Sequence, residues 1–274
     1  MKRSTRAVIA KETLAILKKG SYQNNLDQSV HFAKIQQKAE QQTFLYEPQA
    51  LLDLIQEPLA DAPHKKTEFV VNALSTLDSV REQHPSDPNL VCLNFASAKN
   101  PGGGFLNGSQ AQEESLARAT GLYPCQLKAA DYYTANRKFS SCLYTDHIIY
   151  SPNVPIIKDE QGKLLDELVC SAMITAPAVN AGAVQQNEPQ NAKKINKFMQ
   201  RRMEMVLAIC KQQKHETLVL GAWGCGVFRN DPAVIARLFK TLLFGKYENQ
   251  FKRVVFSIYA KEERFIKPFH AEFS

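Results

Sequence analysis

The chain has 274 residues, which fits one large domain or two small ones at roughly 150 residues per domain. With 44% hydrophobic and 22% charged residues, its composition excludes a disordered chain, a collagen-like sequence and a coiled-coil rod. The 34 Lys and Arg against 27 Asp and Glu give a net charge of +7, which favours either an anionic partner such as phosphate or a solvated basic surface.

The first 60 residues favour helices. Ala7, Ala10, Leu14 and Leu17 recur at helical spacing, and Gly20 is placed to end that helix. Residues 21–60 are rich in Gln and Ala, include LLDLI, and end in a Pro-containing stretch, so we read them as more helix and then a connection. The sequence therefore predicts an N-terminal helical extension over 1–60 packed on a core formed by 61–274.

From residue 67 the pattern changes to short β-branched runs that alternate with helical patterns. This alternation is typical of an α/β fold of three layers, with a largely parallel sheet covered by helices on both faces. The strand runs are EFVVN at 68–72, LVCLNF at 90–95, HIIYS at 147–151, MITAPAV at 173–179, TLVLGA at 217–222 and RVVFSI at 253–258.

Residues 195–210 form an amphipathic helical pattern with a basic start. Such a cluster is a solvated helix face or a contact for a polyanion. The basic residues are Lys193, Lys194, Lys197, Arg201 and Arg202.

The six cysteines are irregularly spaced, and no C-x-x-C pair occurs, which argues against a zinc site and a disulfide framework. Reduced thiols and a cytoplasmic location are the prediction. Cys210 and His215 come nearest to a metal-ligand pair but lack a second pair, so no metal site is expected. The mostly apolar stretch 168–179 is too short to span a bilayer, and no membrane association is expected.

Two short loops hold seven of the 12 glycines. Each loop follows a strand run and precedes a helical pattern, where open α/β sheets bind ligands. In the second loop, Asn230 or Asp231 can cap the next helix with Pro232 in its first turn, which leaves free N–H groups for a phosphate. An ordinary tight connection is the alternative. The glycines are Gly102, Gly103, Gly104 and Gly108 in the first loop, and Gly221, Gly224 and Gly226 in the second.

Neither glycine loop matches a common nucleotide motif. Asn107 stands where G-x-G-x-x-G needs its last glycine, and no Gly-Lys pair is followed by Ser or Thr as in a P-loop. Two familiar nucleotide-binding classes are therefore excluded.

The first loop runs into Gln112, Glu113 and Glu114. Adjacent carboxylates at the start of a helix can simply complement its dipole, or they can carry chemistry. Adjacent helical side chains point about 100° apart, so the pair cannot flank a glycosidic bond from opposite sides. In the catalytic interpretation, one carboxyl is the acid and the other accepts hydrogen bonds from a ribose diol.

The run NFASAKNPGGGFLNGSQAQEESLARATGLY resembles the signature of the bacterial-type poly(ADP-ribose) glycohydrolases, a macrodomain family in which GGG is followed after several residues by QEE. The resemblance continues in AVIAKETLAILKKGSY, VVNALSTLDSV, DHIIYSPNVPIIKD, ITAPAVN and GAWGCGVFRNDP. It covers nearly the whole chain in order.

The resemblance implies a macrodomain core with a mixed sheet. It implies that Glu114 is the catalytic acid and that Glu113 is its ribose-binding neighbour. Asn94, Ser97 or Asn100 is implied against the distal ribose, and residues 74–78 are implied near the adenine. The substrate-binding residues implied are Gln112, Asn100, Gly102, Gly103 and Gly104 in the first loop and Gly224, Cys225, Gly226, Val227 and Phe228 in a diphosphate loop.

The implied activity is hydrolysis of poly(ADP-ribose) from chain ends to release ADP-ribose, with no metal or cofactor. The expected partners are ADP-ribose and ADP-ribosylated protein or polymer, together with nucleic acid at the basic surface, and the expected state is a monomer. Two alternatives stay open: a hydrolase of mono-ADP-ribose on protein carboxylates or nucleic acid, and a non-catalytic ADP-ribose reader, against which the QEE motif argues.

Overall fold

The computed structural model describes all residues, 1–274, and contains eleven α-helices and nine β-strands. The helices are α1 Arg3–Lys19, α2 Ala33–Gln42, α3 Pro48–Leu54, α4 Thr76–Gln83, α5 Gln112–Ala119, α6 Leu122–Lys128, α7 Ala130–Lys138, α8 Ala181–Asn187, α9 Ile195–Gln212, α10 Pro232–Leu243 and α11 Glu263–Phe273. The strands are β1 Ser21–Gln23, β2 Ser29–His31, β3 Phe44–Tyr46, β4 Glu68–Asn72, β5 Val91–Phe95, β6 Ile148–Lys158, β7 Leu164–Ala176, β8 Thr217–Leu220 and β9 Arg253–Ser257.

Seven strands form one mixed sheet in the order β3-β6-β7-β5-β8-β9-β4, while β1 and β2 form a separate hairpin. The five strands from β7 to β4 are parallel to their neighbours, and β6 is antiparallel to both β7 and β3. The carboxyl ends of five parallel strands therefore meet at one edge of the molecule. The predicted three-layer α/β fold with a mixed, largely parallel sheet is confirmed.

Alternate residues of the central strands pack into two different cores. Val91 and Leu93 of β5 belong to a cluster that includes α9, α10 and α11, whereas Cys92 belongs to a cluster that includes α4, α5 and α6. The same alternation occurs in β8 and β9, because successive side chains of a strand point to opposite faces. Both faces of the sheet are thus buried, as the β-branched runs predict.

The longest strands, β6 and β7, form an antiparallel hairpin of which the sequence predicted only the two outer ends. The register shifts between Ser151 and Val154, where Asn153 adopts a left-handed conformation with φ of 50°, and this bulge interrupts the alternating pattern. β7 ends at Ala176, three residues before the predicted end, because Pro177 has no N–H for the sheet.

The N-terminal region is less helical than the sequence suggests. α1 ends as predicted, with Gly20 in the left-handed region at φ of 73° and its N–H bonded to Ile16 O. The prediction of further helix is wrong at three places, since β1, β2 and β3 lie within 21–60. β3 is the edge strand of the main sheet, where Phe44 pairs with Tyr150 of β6 and packs its ring 5.7 Å away. These strands have only three residues each, too few for the alternation of apolar and polar residues to be recognised in the sequence.

No helix has both the length and the apolar composition needed to cross a membrane. The six cysteines are all free thiols, and no group of three or more His, Cys, Asp or Glu side chains is placed to hold a metal ion.

Candidate active site

Gln112 fixes the start of α5 across the carboxyl end of β5. Its Oε1 accepts from the Phe95 amide over 2.8 Å, and its Nε2 donates to Leu93 O over 2.7 Å and to Thr76 Oγ1 over 3.1 Å. The Gln112 side-chain amide is therefore bonded to β5 and α4 through its oxygen and its nitrogen. The next two residues, Glu113 and Glu114, occupy the first turn of α5, where the helix dipole favours negative charge.

Glu113 is 2% exposed and surrounded by N–H donors. Its Oε2 accepts from the Ser97 amide over 2.7 Å, and its Oε1 accepts from Gln126 Nε2 over 2.9 Å and from Asn94 Nδ2 over 3.2 Å. Burial raises the pKa of Glu113 to about 8 against the opposing effect of these donors, and the nearby Glu114 charge adds to the rise. Asn94 is fully buried and donates to this carboxyl, so it helps to fix the position of Glu113 from the buried side.

Glu114 is half-buried, unlike its neighbour. Its Oε1 accepts from the Gly104 amide over 3.0 Å, which ties the first glycine loop to the carboxyl. Gly102 and Gly103 are both left-handed, with φ of 64° and 58°, and a Cβ at Gly103 would collide with the Glu114 carboxyl. The same Cβ would lie 3.2 Å from Glu113 Oε2. Glycine at position 103 thus lets the backbone approach both carboxyl groups closely.

The polar residues between β5 and the glycines shape this loop. Ser97 Oγ accepts from the Asn100 amide over 3.1 Å, and Asn100 O accepts from the Gly103 amide over 3.0 Å. The Asn100 side chain is exposed, whereas Asn94 is not. Of the three polar residues that the resemblance implies against a ribose, Asn100 is exposed, Ser97 is half-buried and Asn94 is buried.

Helix α1 holds the first glycine loop from the far side, a role that the sequence did not indicate. Arg3 Nε donates to Asn107 O over 2.9 Å, and Arg6 Nε donates to Gly108 O over 2.8 Å. Gly108 is left-handed, and a Cβ there would strike the Arg3 backbone. The only sequence signal was the pair of basic residues in a helix, which by itself is also typical of a solvated face.

The second glycine loop lies at the carboxyl end of β8. Asp231, one of the two predicted caps, accepts from the Ala233 amide over 2.8 Å, with Pro232 at the start of α10 as predicted. Asn230 is instead buried and donates to Val179 O over 2.8 Å and to Gly224 O over 3.1 Å. The loop is therefore anchored to the segment that follows β7.

Residues 224–228 present different groups to the site. Gly224 is left-handed at φ of 75° and packs on Ala178, whereas a Cβ at Gly226 would meet nothing within 4 Å. The Cys225 side chain is buried, and burial raises the pKa of its thiol. Val227 is 80% exposed, and the half-buried Phe228 ring lies 6.0 Å from the Tyr144 ring.

A cavity of about 420 Å³ opens between the two loops and the ends of β4 and β9. Gln112 borders it from the first loop and Gly226 from the second, whereas Glu114 and Gly102–Gly104 lie outside its lining. Ser75 and Thr76 belong to the region that the resemblance placed near adenine. Gln112 and Gly226 are also implied by the resemblance, whereas the other lining residues are not, because no residue spacing links these segments. The lining comprises Ser75, Thr76, Phe95, Gln110, Ala111, Gln112, Ser115, Glu160, Ala222, Gly226, Ser257, Ile258, Tyr259, Ala260 and Phe265.

The basic cluster at the start of α9 divides in two. Arg202 is fully buried and donates to Asp146 Oδ1 over 2.9 Å, to Pro177 O over 2.8 Å and to Leu143 O over 3.0 Å. Arg201 pairs with the other Asp146 oxygen. Arg202 is therefore neither part of a solvated helix face nor a contact for a polyanion. It instead joins the segments that flank β6 and β7. Lys193, Lys194 and Lys197 remain exposed.

The fold and the site together define an α/β protein whose glycine loops and carboxylate pair meet at the carboxyl ends of its strands. The family model for the microbial-type PARG catalytic domain matches residues 10–159, more than half of the chain. The chain therefore belongs to this family, and the family resemblance read from the sequence is confirmed.

Solved structures agree with this membership. The chain is similar to poly(ADP-ribose) glycohydrolase from Thermomonospora curvata, at 37% identity with a TM-score of 0.95, over 98% of this chain and 100% of that one. A structure of the Thermomonospora curvata enzyme bound to the inhibitor ADP-HPD matches at 38% identity and a TM-score of 0.89, over 98% of each chain. Poly(ADP-ribose) glycohydrolase from Deinococcus radiodurans in complex with ADP-ribose matches at 41% identity and a TM-score of 0.83, over 87% of this chain and 97% of that one. No curated protein sequence matches the chain significantly.

Proposed function

We propose that this protein is a poly(ADP-ribose) glycohydrolase that releases ADP-ribose from the ends of the polymer, with Glu114 as its general acid. The observation that carries the proposal is the carboxylate pair beneath a left-handed glycine loop, in which Glu113 is buried and Glu114 is accessible. An acid must reach the leaving oxygen, and only Glu114 of the pair is open to do so.

The proposed pose follows the edge of the sheet. The adenosine half enters the cavity near Ser75 and Thr76, and the diphosphate lies on the backbone of residues 224–228, where Gly226 leaves open space. Phe228 lies against the second ribose and fixes it above the carboxylates. Glu113 Oε2, which takes one hydrogen bond from Ser97, keeps a second lone pair with which to accept from that ribose.

The proposed reaction breaks the glycosidic bond to the anomeric carbon. Protonated Glu114 donates to the departing oxygen as the carbon gains oxocarbenium character. A water molecule then adds its oxygen to that carbon, and its proton returns to the Glu114 carboxylate. The products are ADP-ribose and a polymer shortened by one unit, so one water is consumed and the enzyme is restored.

The same proposal has four further parts. The core is a macrodomain, the division lies at residue 60, the location is cytoplasmic, and the protein is a monomer. Six unpaired cysteines suit a reducing compartment. The segment 1–60 supplies an edge strand to the main sheet and contacts the first glycine loop, which supports an extension packed on the core.

The deciding experiment offers the protein three defined substrates: poly(ADP-ribose), a protein mono-ADP-ribosylated on carboxylates, and ADP-ribosylated DNA. Free ADP-ribose released mainly from the polymer supports the proposal. Release mainly from either mono-ADP-ribosylated substrate would transfer the activity to that substrate. Tight ADP-ribose binding without release from any of the three would identify a reader and overturn the proposal.

A further inference from the structure

An uncompensated basic rim borders the first glycine loop. Lys99, Arg137 and Lys138 are exposed, and none of them forms an ion pair with a carboxylate. Arg137 and Lys138 form the end of α7, and Lys99 directly precedes Asn100. We name these three residues the basic rim.

The basic rim is attached to the carboxylate pair by a short series of contacts. Arg137 Nε donates to Lys99 O over 2.9 Å, while the other two guanidinium nitrogens donate to no protein group. The next residue, Asn100, accepts from the Gly103 amide, and Gly103 lies against both carboxyl groups. Arg137 therefore holds a free guanidinium face beside the loop in which the glycosidic bond is cut.

The order of the strands shows on which side of the bond the rim lies. The cavity is at the ends of β9 and β4, the second glycine loop follows β8, and the carboxylates lie beyond β5. Beyond β5, the next strands in the sheet are β7 and then β6. The end of β7 lies beside the beginning of β6, where Thr175 pairs with Ile149. The end of α7 leads into β6, so the rim lies beyond the carboxylates on the side away from the adenosine cavity.

The leaving group must occupy that side. In a poly(ADP-ribose) chain the departing oxygen belongs to the ribose of the preceding unit, and the same ribose carries a pyrophosphate with two negative charges. We propose, on the basis of the proposed function, that the basic rim binds this pyrophosphate and so selects a phosphate-bearing leaving group. Arg137 suits the task because a guanidinium can donate two parallel hydrogen bonds to phosphate oxygens.

The test compares two variants that each remove two positive charges. Lys99→Gln/Lys138→Gln changes the rim but leaves the Arg137 contact to Lys99 O intact, because neither lysine side chain makes a hydrogen bond. Lys65→Gln/Lys66→Gln is the matched control, since both lysines are exposed and precede β4, at the opposite end of the parallel strands. Each protein is assayed on poly(ADP-ribose) and on an aryl glycoside of ADP-ribose whose phenol leaving group carries no phosphate.

The rim variant is expected to raise KM for the polymer by about 3- to 10-fold, because it loses two exposed, screened ion pairs with the pyrophosphate. It should cleave the aryl glycoside as the parent does. The control variant should match the parent on both substrates. Equal losses on both substrates would make the rim a positioning element, and a polymer KM equal to that of the control would remove the subsite. In a parallel assay on an ADP-ribosylated oligonucleotide, a loss seen there but not on the polymer would mean that the rim binds nucleic acid and would also overturn the proposal. A parent protein that cleaves neither substrate would instead refute the proposed function itself.

Discussion

The Gly104 backbone amide donates a hydrogen bond to Glu114 Oε1 over 3.0 Å, so the glycine loop and the proposed acid form one unit. Glu113 is held separately, by Ser97, Asn94 and Gln126, from the buried side of α5. Two adjacent residues thus receive opposite environments, one closed and one accessible. The proposed function uses this division, with sugar binding by the fixed carboxyl and proton transfer by the accessible one.

Glu114→Gln should preserve the fold, because a glutamine carbonyl can still accept from the Gly104 amide. The variant cannot donate an acidic proton, so we expect ADP-ribose release to fall by about 10²- to 10⁴-fold. Calorimetry should find ADP-ribose binding close to that of the parent. Near-parental turnover would show that another residue is the acid.

Glu113 should impose a pH dependence on stability. Burial raises its pKa from 4.5 to about 8, so between these values the folded protein keeps a proton that the unfolded chain loses. The free energy of unfolding therefore falls as the pH rises through this window, by up to about 1 kcal/mol per pH unit. Glu113→Gln lacks this titration, so the stability of the parent relative to the variant should be greatest at pH 5 and decline towards pH 8.

Urea unfolding of both proteins at several pH values within this window measures that difference. Two parallel stability profiles would mean that Glu113 titrates alike in the folded and unfolded states. The same variant should also bind ADP-ribose more weakly, and unchanged affinity would remove its proposed contact to the ribose.

The two glycines of the second loop should respond differently to valine. Gly226→Val places a side chain in open space, on the side proposed for the diphosphate, so the fold should tolerate it. ADP-ribose binding should weaken by at least about tenfold, since a hydrogen bond to a charged group contributes about 1.5–3 kcal/mol. Gly224→Val should destabilise the protein, because a left-handed β-branched residue costs about 1–3 kcal/mol and its side chain would strike Ala178.

Calorimetry with ADP-ribose and thermal unfolding distinguish these two effects. If Gly226→Val folds and binds as tightly as the parent, this loop is not the diphosphate site. An unchanged melting temperature for Gly224→Val would contradict the strain argument.

Arg202 should be worth much more to stability than its neighbour Arg201. Arg202→Met leaves the Pro177 and Leu143 carbonyls without their donor and removes one partner of a buried ion pair, which costs about 3–5 kcal/mol. Arg201 is 30% exposed, so Arg201→Met should cost about 1 kcal/mol or less. Urea unfolding gives both values, and equal costs would contradict the anchoring role assigned to Arg202.

The sequence predicted the layers better than the details of the site. Runs such as 90–95 and 217–222 are recognisable because the parallel strands within them, β5 and β8, are buried on both faces and mostly apolar. The Gly103 and Gly224 positions were recognisable because a left-handed residue next to a neighbouring group requires glycine. The burial of Arg202 was not, since its partner Asp146 is distant in the sequence and a basic helix face looks the same in either case.

The choice between chain ends and chain interior depends on whether the adenosine cavity has an exit. Glu160, in the turn between β6 and β7, lines that cavity, and the same turn rests on α1, where Gly162 lies against Ile9. Behind Glu160 the space bounded by Met1, Ile9 and Arg118 is only about 10 Å³, enough for no more than one water. The N-terminal helix thus closes this wall of the cavity.

In the proposed pose, a further ADP-ribose unit attached to the bound adenosine would have to pass this wall, so we expect the protein to act on termini. Digestion of long poly(ADP-ribose), resolved by chain length over time, should show monomeric ADP-ribose from the first time points while the remaining chains shorten gradually. An enzyme that cuts within chains would instead release mid-length oligomers early, with little monomer. That result would mean that the turn carrying Glu160 opens in solution, because the polymer would have to pass where Glu160 and α1 now stand.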